Sequence, residues 1–184
     1  MKKALLLSIA VFMYACAPLV CPEEKQIKTI YSEDSAPKEY KAFLSIRYGI
    51  IKIPIYVEKE EGSYIIRSPQ SGSILFSGRA FCINSACIDL PLTPDSIVFG
   101  SILTGYEKAT CSFGSVVFER DDQAYFRKYV FSNGELKRIE LTDKKKDRLM
   151  VFEYGERSKD GYYKSVKVSI GNVSFIVGVD ELRR

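Results

Sequence analysis

The 184-residue chain has no histidine and no tryptophan. The first absence removes the usual general base and the usual nitrogen ligand of zinc, so Ser-His-Asp triads, Cys-His pairs and mixed Cys/His metal sites are excluded. No G-x-S-x-G elbow occurs, and Gly100-Ser101-Ile102-Leu103-Thr104-Gly105 has no lysine after its glycines, so it is not a phosphate loop. The adjacent acids Asp121 and Asp122 precede a hairpin, and strand neighbours point to opposite faces; they read as a solvated turn rather than an acid/base pair. Charge of one sign is scarce as well. Lys+Arg number 27 against 23 Asp+Glu, a net +4 that gives no basic field for nucleic acid. Lys144-Lys145-Lys146 falls short of the roughly 4 to 8 cations of a lipid-binding cluster and reads as a solvated turn. The expectation is a protein that is not an enzyme and has no cofactor and no metal.

A long hydrophobic run is also missing. Ala4 to Met13, behind Met1-Lys2-Lys3, is too short to cross a bilayer as a helix, which takes about 20 residues; it reads as a signal peptide over residues 1–15. The run ends in Met13-Tyr14-Ala15-Cys16, which resembles a bacterial lipobox, so Cys16 is the expected diacylated, palmitate-carrying N-terminus. The alternative is cleavage at Ala15-Cys16-Ala17, an A-x-A pattern that leaves Pro18 after the cut and a soluble periplasmic protein. With Ala17 rather than Asp after Cys16, Gram-negative sorting points to the periplasmic face of the cell outer membrane, with the membrane reached through the lipid anchor. Residues 16–35, rich in Pro, Glu and Lys, read as a flexible tether. Residues 36–184 are of a length for one domain, expected to be monomeric.

Of 5 cysteines, four remain once Cys16 is lipidated. An even count in an oxidising compartment favours disulfides. Cys82 and Cys87 flank a polar turn and are expected to pair, leaving Cys111 to join Cys21 or to stay buried and free.

From Tyr40 the chain alternates apolar and polar residues. Ala42-Leu44-Ile46-Tyr48 and Ile51-Ile53-Ile55-Val57 form two strands around Gly49; Tyr64 to Arg67 and Ile74 to Cys82 continue a meander. Thr93 caps and Pro94 starts one short amphipathic helix, carrying Ile97, Val98, Ile102 and Leu103 at near-helical spacing until Gly105 stops it. Strands then resume at Phe113, Tyr125, Leu136, Leu149, Tyr163 and Val173, with Asn133-Gly134 as a hairpin signal. The fold class is mainly β: an incomplete antiparallel β-barrel of about eleven strands with a short helical plug. Such a sheet encloses an apolar concavity suited to acyl chains. Its candidate lining is Ile46, Ile51, Ile53, Ile55, Val57 and Phe76 from strands, and Ile97, Val98, Ile102 and Leu103 from the plug.

Three features carry a resemblance: Tyr64-Ile65-Ile66-Arg67-Ser68-Pro69-Gln70-Ser71-Gly72-Ser73, a strand, Pro-Gly turn and next strand; the Pro94 to Gly105 segment; and Asn133-Gly134 before the closing strands. In these the chain resembles the LolA/LolB-like lipoprotein-carrier superfamily over residues 36 to 182, and LolB more than LolA because of Cys16. The resemblance implies a half-barrel whose interior receives the acyl chains of lipids or lipoproteins, with a role in localising lipoproteins to the outer membrane. LolB proteins carry an apolar residue at the tip of the Pro-Gly turn for delivery into the membrane, whereas here the tip is Gln70-Ser71. The alternative function is a structural lipoprotein of an envelope complex, its barrel filled by its own side chains.

Overall fold

A computed structural model describes residues 23–68, 72–77, 80–83, 86–89, 91–112 and 114–184, with side chains left out for 72–89 and Ser112. The expected signal peptide, Cys16 and Cys21 lie outside the described residues.

Residues 24–35, expected as tether, fold onto the domain. Glu24–Ile30 is a helix, α1, followed by a 3₁₀ turn at Glu33–Ser35. The reason is a four-residue apolar spacing within polar sequence: Ile27 and Tyr31 share one helical face, and both are buried. Tyr31 is among the largest fully buried side chains. Its carbonyl accepts the backbone N–H groups of Ile102 and Leu103, both at 2.9 Å. Residues 24–35 therefore belong to the domain.

Six strands follow the helix: β1 (Tyr40–Tyr48), β2 (Ile51–Glu60), β3 (Ser63–Ser68), β4 (Gly72–Ser77), β5 (Ala80–Ile83) and β6 (Ala86–Asp89). After a second helix, α2 (Pro94–Phe99), come β7 (Lys108–Ser112), β8 (Ser115–Asp121), β9 (Tyr125–Ser132), β10 (Glu135–Asp143), β11 (Arg148–Tyr154), β12 (Ser165–Ile170) and β13 (Val173–Arg183). All are antiparallel in one sheet ordered β6-β5-β4-β3-β2-β1-β13-β12-β11-β10-β9-β8-β7, with β6 and β7 as its two edges. This is the expected incomplete barrel with a short helix, with thirteen strands among the described residues rather than about eleven. The stretch from Ile74 to Cys82 is two strands, because the chain reverses between Ser77 and Ala80, which pair with each other. The sequence of β7, Lys-Ala-Thr-Cys-Ser, alternates in small residues and leaves little hydrophobic signal.

Turn chemistry sets the registers. Asn133 (φ 51°) and Gly134 (φ 73°) both take the left-handed region, as the type I′ hairpin requires, and Ser132 stands opposite Glu135. Because the strands alternate in direction, the β1–β2, β8–β9, β10–β11 and β12–β13 turns share one rim. The other rim is occupied by α2.

Helix α2 is capped as its sequence suggests, with Thr93 Oγ1 accepting the Ser96 N–H and Pro94 at the first position. It stops earlier than expected, at Gly100 rather than Gly105. Gly100 is left-handed (φ 73°), and a Cβ there would stand 3.0 Å from Tyr163 and 3.1 Å from Leu136. Ile102 and Leu103 are therefore off the helix, and Leu103 bridges to Ser32 in parallel.

The core behind α2 is aromatic. Tyr31 packs edge-on against Phe131, Phe131 against Phe118, and Tyr154 against Tyr163, with ring centroids 4.7–5.5 Å apart. The Tyr31 and Tyr163 hydroxyls stand 3.1 Å apart, and that of Tyr163 accepts the Leu136 N–H. Desolvation, and after it the neighbouring Tyr31 hydroxyl, pushes the Tyr163 pKa far up, so Tyr163 remains neutral.

Because α1 is part of this core, Ile27→Ala should lower the unfolding free energy by about 2–4 kcal/mol in a urea titration; a loose tether would leave the midpoint unmoved.

Candidate ligand-binding concavity

Every second residue of a strand faces the inside of the curled sheet. On β1 these are Tyr40, Ala42, Leu44, Ile46 and Tyr48; on β2, Ile51, Ile53, Ile55, Val57 and Lys59, each opposite its counterpart on β1. Burial runs in a gradient along β2. Val57 is 1% exposed, Ile55 and Ile53 are half-buried, and Ile51 is 55% exposed. On β12 and β13, Val166, Val168 and Val177 are buried, while Phe175 and Ile170 are half-buried. The inner face is thus sealed beside α2 and progressively uncovered toward the opposite rim.

What seals it is a polar clamp. Lys59 Nζ reaches Asp95 Oδ2 at 2.6 Å and the carbonyl of Pro37 at 2.9 Å. Tyr40 donates its hydroxyl to Asp95 Oδ1 at 3.0 Å. The Lys59 ammonium also lies 5.9 and 5.6 Å from the ring centroids of Tyr40 and Tyr64. Desolvation, then the Asp95 charge, raises the pKa of both tyrosines, so they stay protonated donors. Two further bonds fix the helix: Tyr154 Oη donates to the Ser96 carbonyl (2.8 Å), and the Tyr163 N–H to that of Val98 (2.8 Å).

The segments flanking α2 are pinned too. Buried Arg127 bonds the Pro91 carbonyl through Nη1 (3.1 Å) and Asp122 through Nε (2.9 Å). Buried Glu107 accepts the N–H of Thr104 and of Gly105 and the Thr104 hydroxyl. Neither the Lys59–Asp95 clamp nor the Arg127 strut was read from sequence. Their only trace is a charged residue at an inward position of an alternating strand, Lys59 after Ile55 and Val57 and Arg127 before Tyr129 and Phe131.

Among the lining candidates, Val57, Val98, Ile102 and Leu103 are buried in the core, and Ile51 lies at the uncovered rim. Ile46, Ile53 and Ile55 form the half-buried strip. Ile97 is half-buried as well, whereas Val98 and Phe99 beside it are sealed. The side chain of Phe76 lies outside the described residues. Cys82 and Cys87 stand opposite one another on β5 and β6; Cys111, on β7, is half-buried against the core and is not a free thiol. Asp121 and Asp122 serve the β8–β9 turn: Asp121 pairs with Lys144, and Asp122 accepts the N–H groups of Ala124 and Tyr125.

Cavities that border described residues include the following. One of about 490 Å³ lies against Glu24, Lys25, Lys28 and Thr29; one of about 140 Å³ touches the clamp at Tyr40 and Lys59; and one of about 20 Å³ is held among Glu33, Thr93, Ser96 and Arg127. Among the described residues no three His, Cys, Asp or Glu side chains converge.

No family model and no curated protein matches the sequence. Among solved structures, the crystal structure of a LolA superfamily protein from Nitrosomonas europaea matches over 86% of this chain and 92% of that one, with a TM-score of 0.56 at 14% identity. At that identity the likeness is one of fold: this chain has the half-barrel architecture of a LolA superfamily protein.

Two outcomes follow. Lys59→Met or Asp95→Leu alone strands a buried charge and destabilises by about 3–5 kcal/mol, while the double substitution recovers most of it, as chemical denaturation of all three variants would show. Partial burial pushes the Asp122 carboxyl up, but the Tyr125 N–H, Arg127 and the Ala124 N–H outweigh it and hold the pKa at about 2. A depressed folded pKa stabilises above the unfolded value of roughly 4 and loses that contribution as pH falls toward 2. Unfolding free energy should therefore fall less steeply over that window in Asp122→Asn than in wild type.

Proposed function

We propose that this protein binds lipid or lipoprotein acyl chains in its half-barrel, as a LolB-like lipoprotein held by a diacylated Cys16 at the periplasmic face of an outer membrane. The observation that carries the reading is the half-buried apolar strip of Ile46, Ile53 and Ile55, with Phe175 on the same inward face of β13. Aliphatic side chains left partly in water on a concave face are a recurrent cost unless a ligand covers them, and each buried CH₂ of a chain laid there contributes about 0.8 kcal/mol. The fold likeness to a LolA superfamily protein supports the same reading. Binding of this kind relies on shape and apolar surface, not on proton transfer or bond-breaking. The antiparallel opposition of Cys82 and Cys87 supports a disulfide across that hairpin.

A second reading has its own observation. The interior beside α2 is filled by Tyr31, Phe118, Phe131, Leu136 and Tyr163, all fully buried. A structural lipoprotein that docks other envelope proteins through its outer surface would need no more than that.

Native mass spectrometry of membrane-extracted protein separates the two. Bound lipid is expected, together with uptake of a fluorescent fatty acid that Ile53→Asp weakens by about tenfold. A ligand-free mass with no uptake, and a stoichiometric protein partner in cellular cross-linking, would establish the second reading instead.

A further inference from the structure

The rim opposite α2 carries apolar side chains where a water-facing turn carries polar ones. The β1–β2 turn is Tyr48-Gly49-Ile50-Ile51. Ile50 is completely exposed, and Tyr48 and Ile51 are 54% and 55% exposed. On the next hairpin along the sheet, β12–β13, Val173 is 49% exposed. Tyr48 and Ile51 also begin the inward-facing row that continues through Ile53 and Ile55, so the exposed tip and the half-buried strip form one unbroken apolar track.

Around this tip the fold gathers cations that are scattered in sequence. Arg47 and Lys52 flank the β1–β2 turn, both paired with Asp180. The β10–β11 turn, two hairpins away on the same rim, exposes Lys144, Lys145, Lys146 and Arg148. Its acids are Asp143, which accepts the N–H groups of Lys145 and Lys146, and Asp147; Lys144 is also paired with Asp121. The triple lysine alone is too small a cluster for an anionic surface, but with Arg47, Lys52 and Arg148 it reaches the size that anionic headgroups recognise.

We infer that this rim docks on an anionic phospholipid bilayer, with Ile50 and its neighbours entering the headgroup and acyl boundary and the surrounding cations on the lipid phosphates. Two arguments select a bilayer over a protein. A hairpin tip is a protrusion of a few side chains, far from the roughly 800 Å² per partner of a stable protein interface, whereas a bilayer accepts an isolated apolar protrusion. Apolar tip and flanking bases also match the two layers of a membrane surface in order. The docking deepens the acyl-binding reading, since the apolar track would run from the bilayer into the concavity, but its test is separate.

The absence of tryptophan makes a single-site probe available. Full-length protein bearing Ile50→Trp is mixed with vesicles of phosphatidylglycerol and phosphatidylcholine whose acyl chains are brominated. A second variant, Glu60→Trp, places the indole at an exposed site at the end of β2 on the opposite rim and serves as comparison. Emission of the Ile50→Trp variant should shift to the blue and be quenched by the bromines, that of the Glu60→Trp variant should do neither, and the effect should weaken at 1 M salt, where the screening length drops to about 3 Å. An N-terminal lipid anchor alone attaches both variants equally and gives no difference between them. Equal emission from the two variants overturns the inference; so does a blue shift of the Ile50→Trp variant without vesicles that grows with protein concentration, which would mean a second copy covers the tip. If the indole at the tip stays in water while fatty-acid uptake is normal, docking fails and acyl binding stands; quenching without uptake gives the reverse.

Discussion

A carboxylate buried inside a curled sheet has to be matched there, and the architecture of this protein turns on how Asp95 is matched. Lys59 arrives from β2, Tyr40 from β1, and the lysine carries the Pro37 carbonyl as a further partner. Two strands thereby converge on one side chain of α2, and the loop at Pro37 holds the lysine that reaches it. Ion pairs of this kind add little net stability over an apolar replacement, but they penalise every arrangement in which a partner is missing. The helix is therefore held in one place against a surface that, being aliphatic and aromatic, would tolerate many. Tyr154 and Tyr163, from the opposite half of the sheet, bond the backbone of the same helix and complete the specification.

Fixing the plug divides the concave face into two regions with different capacities. Beside α2 the space is largely taken by the protein's own aromatic rings. Toward the far rim the same alternation of residues continues, and Ile53 and Ile55 are half-buried there. A closed compartment and an open groove thus arise from one continuous sheet, and the boundary between them lies near Val57 and Ile97. The clamp sits at one end of this face, and the half-buried strip begins where its packing stops.

Much of this was legible in the sequence, for physical reasons that differ by element. The long central strands alternate strongly because one face is buried, and Asn133-Gly134 announces its turn because few other pairs adopt two left-handed residues in succession. Thr93 and Pro94 mark the start of α2 by cap chemistry that is local. The end of α2 was not legible: Gly100 and Gly105 are equivalent in sequence, and only the proximity of Tyr163, Leu136 and Tyr31 requires glycine at the first. Helix α1 was hidden because two buried side chains, Ile27 and Tyr31, in a polar stretch do not make a pattern, although they are enough to dock seven residues. The clamp was equally hidden, since Lys59 and Asp95 acquire meaning from being brought together over 36 positions of chain.

The neighbour of β1 in the sheet is β13, so that Ser45 and Asp180, 135 residues apart, come to bond each other. Until the last strand has emerged, the first has only β2 beside it, and the two halves of the meander have no seam. Such long-range pairing postpones completion of the core until β13 has been made. A polypeptide arranged in this order cannot seal its core from its first half alone: the seam between β1 and β13 waits for both ends of the domain.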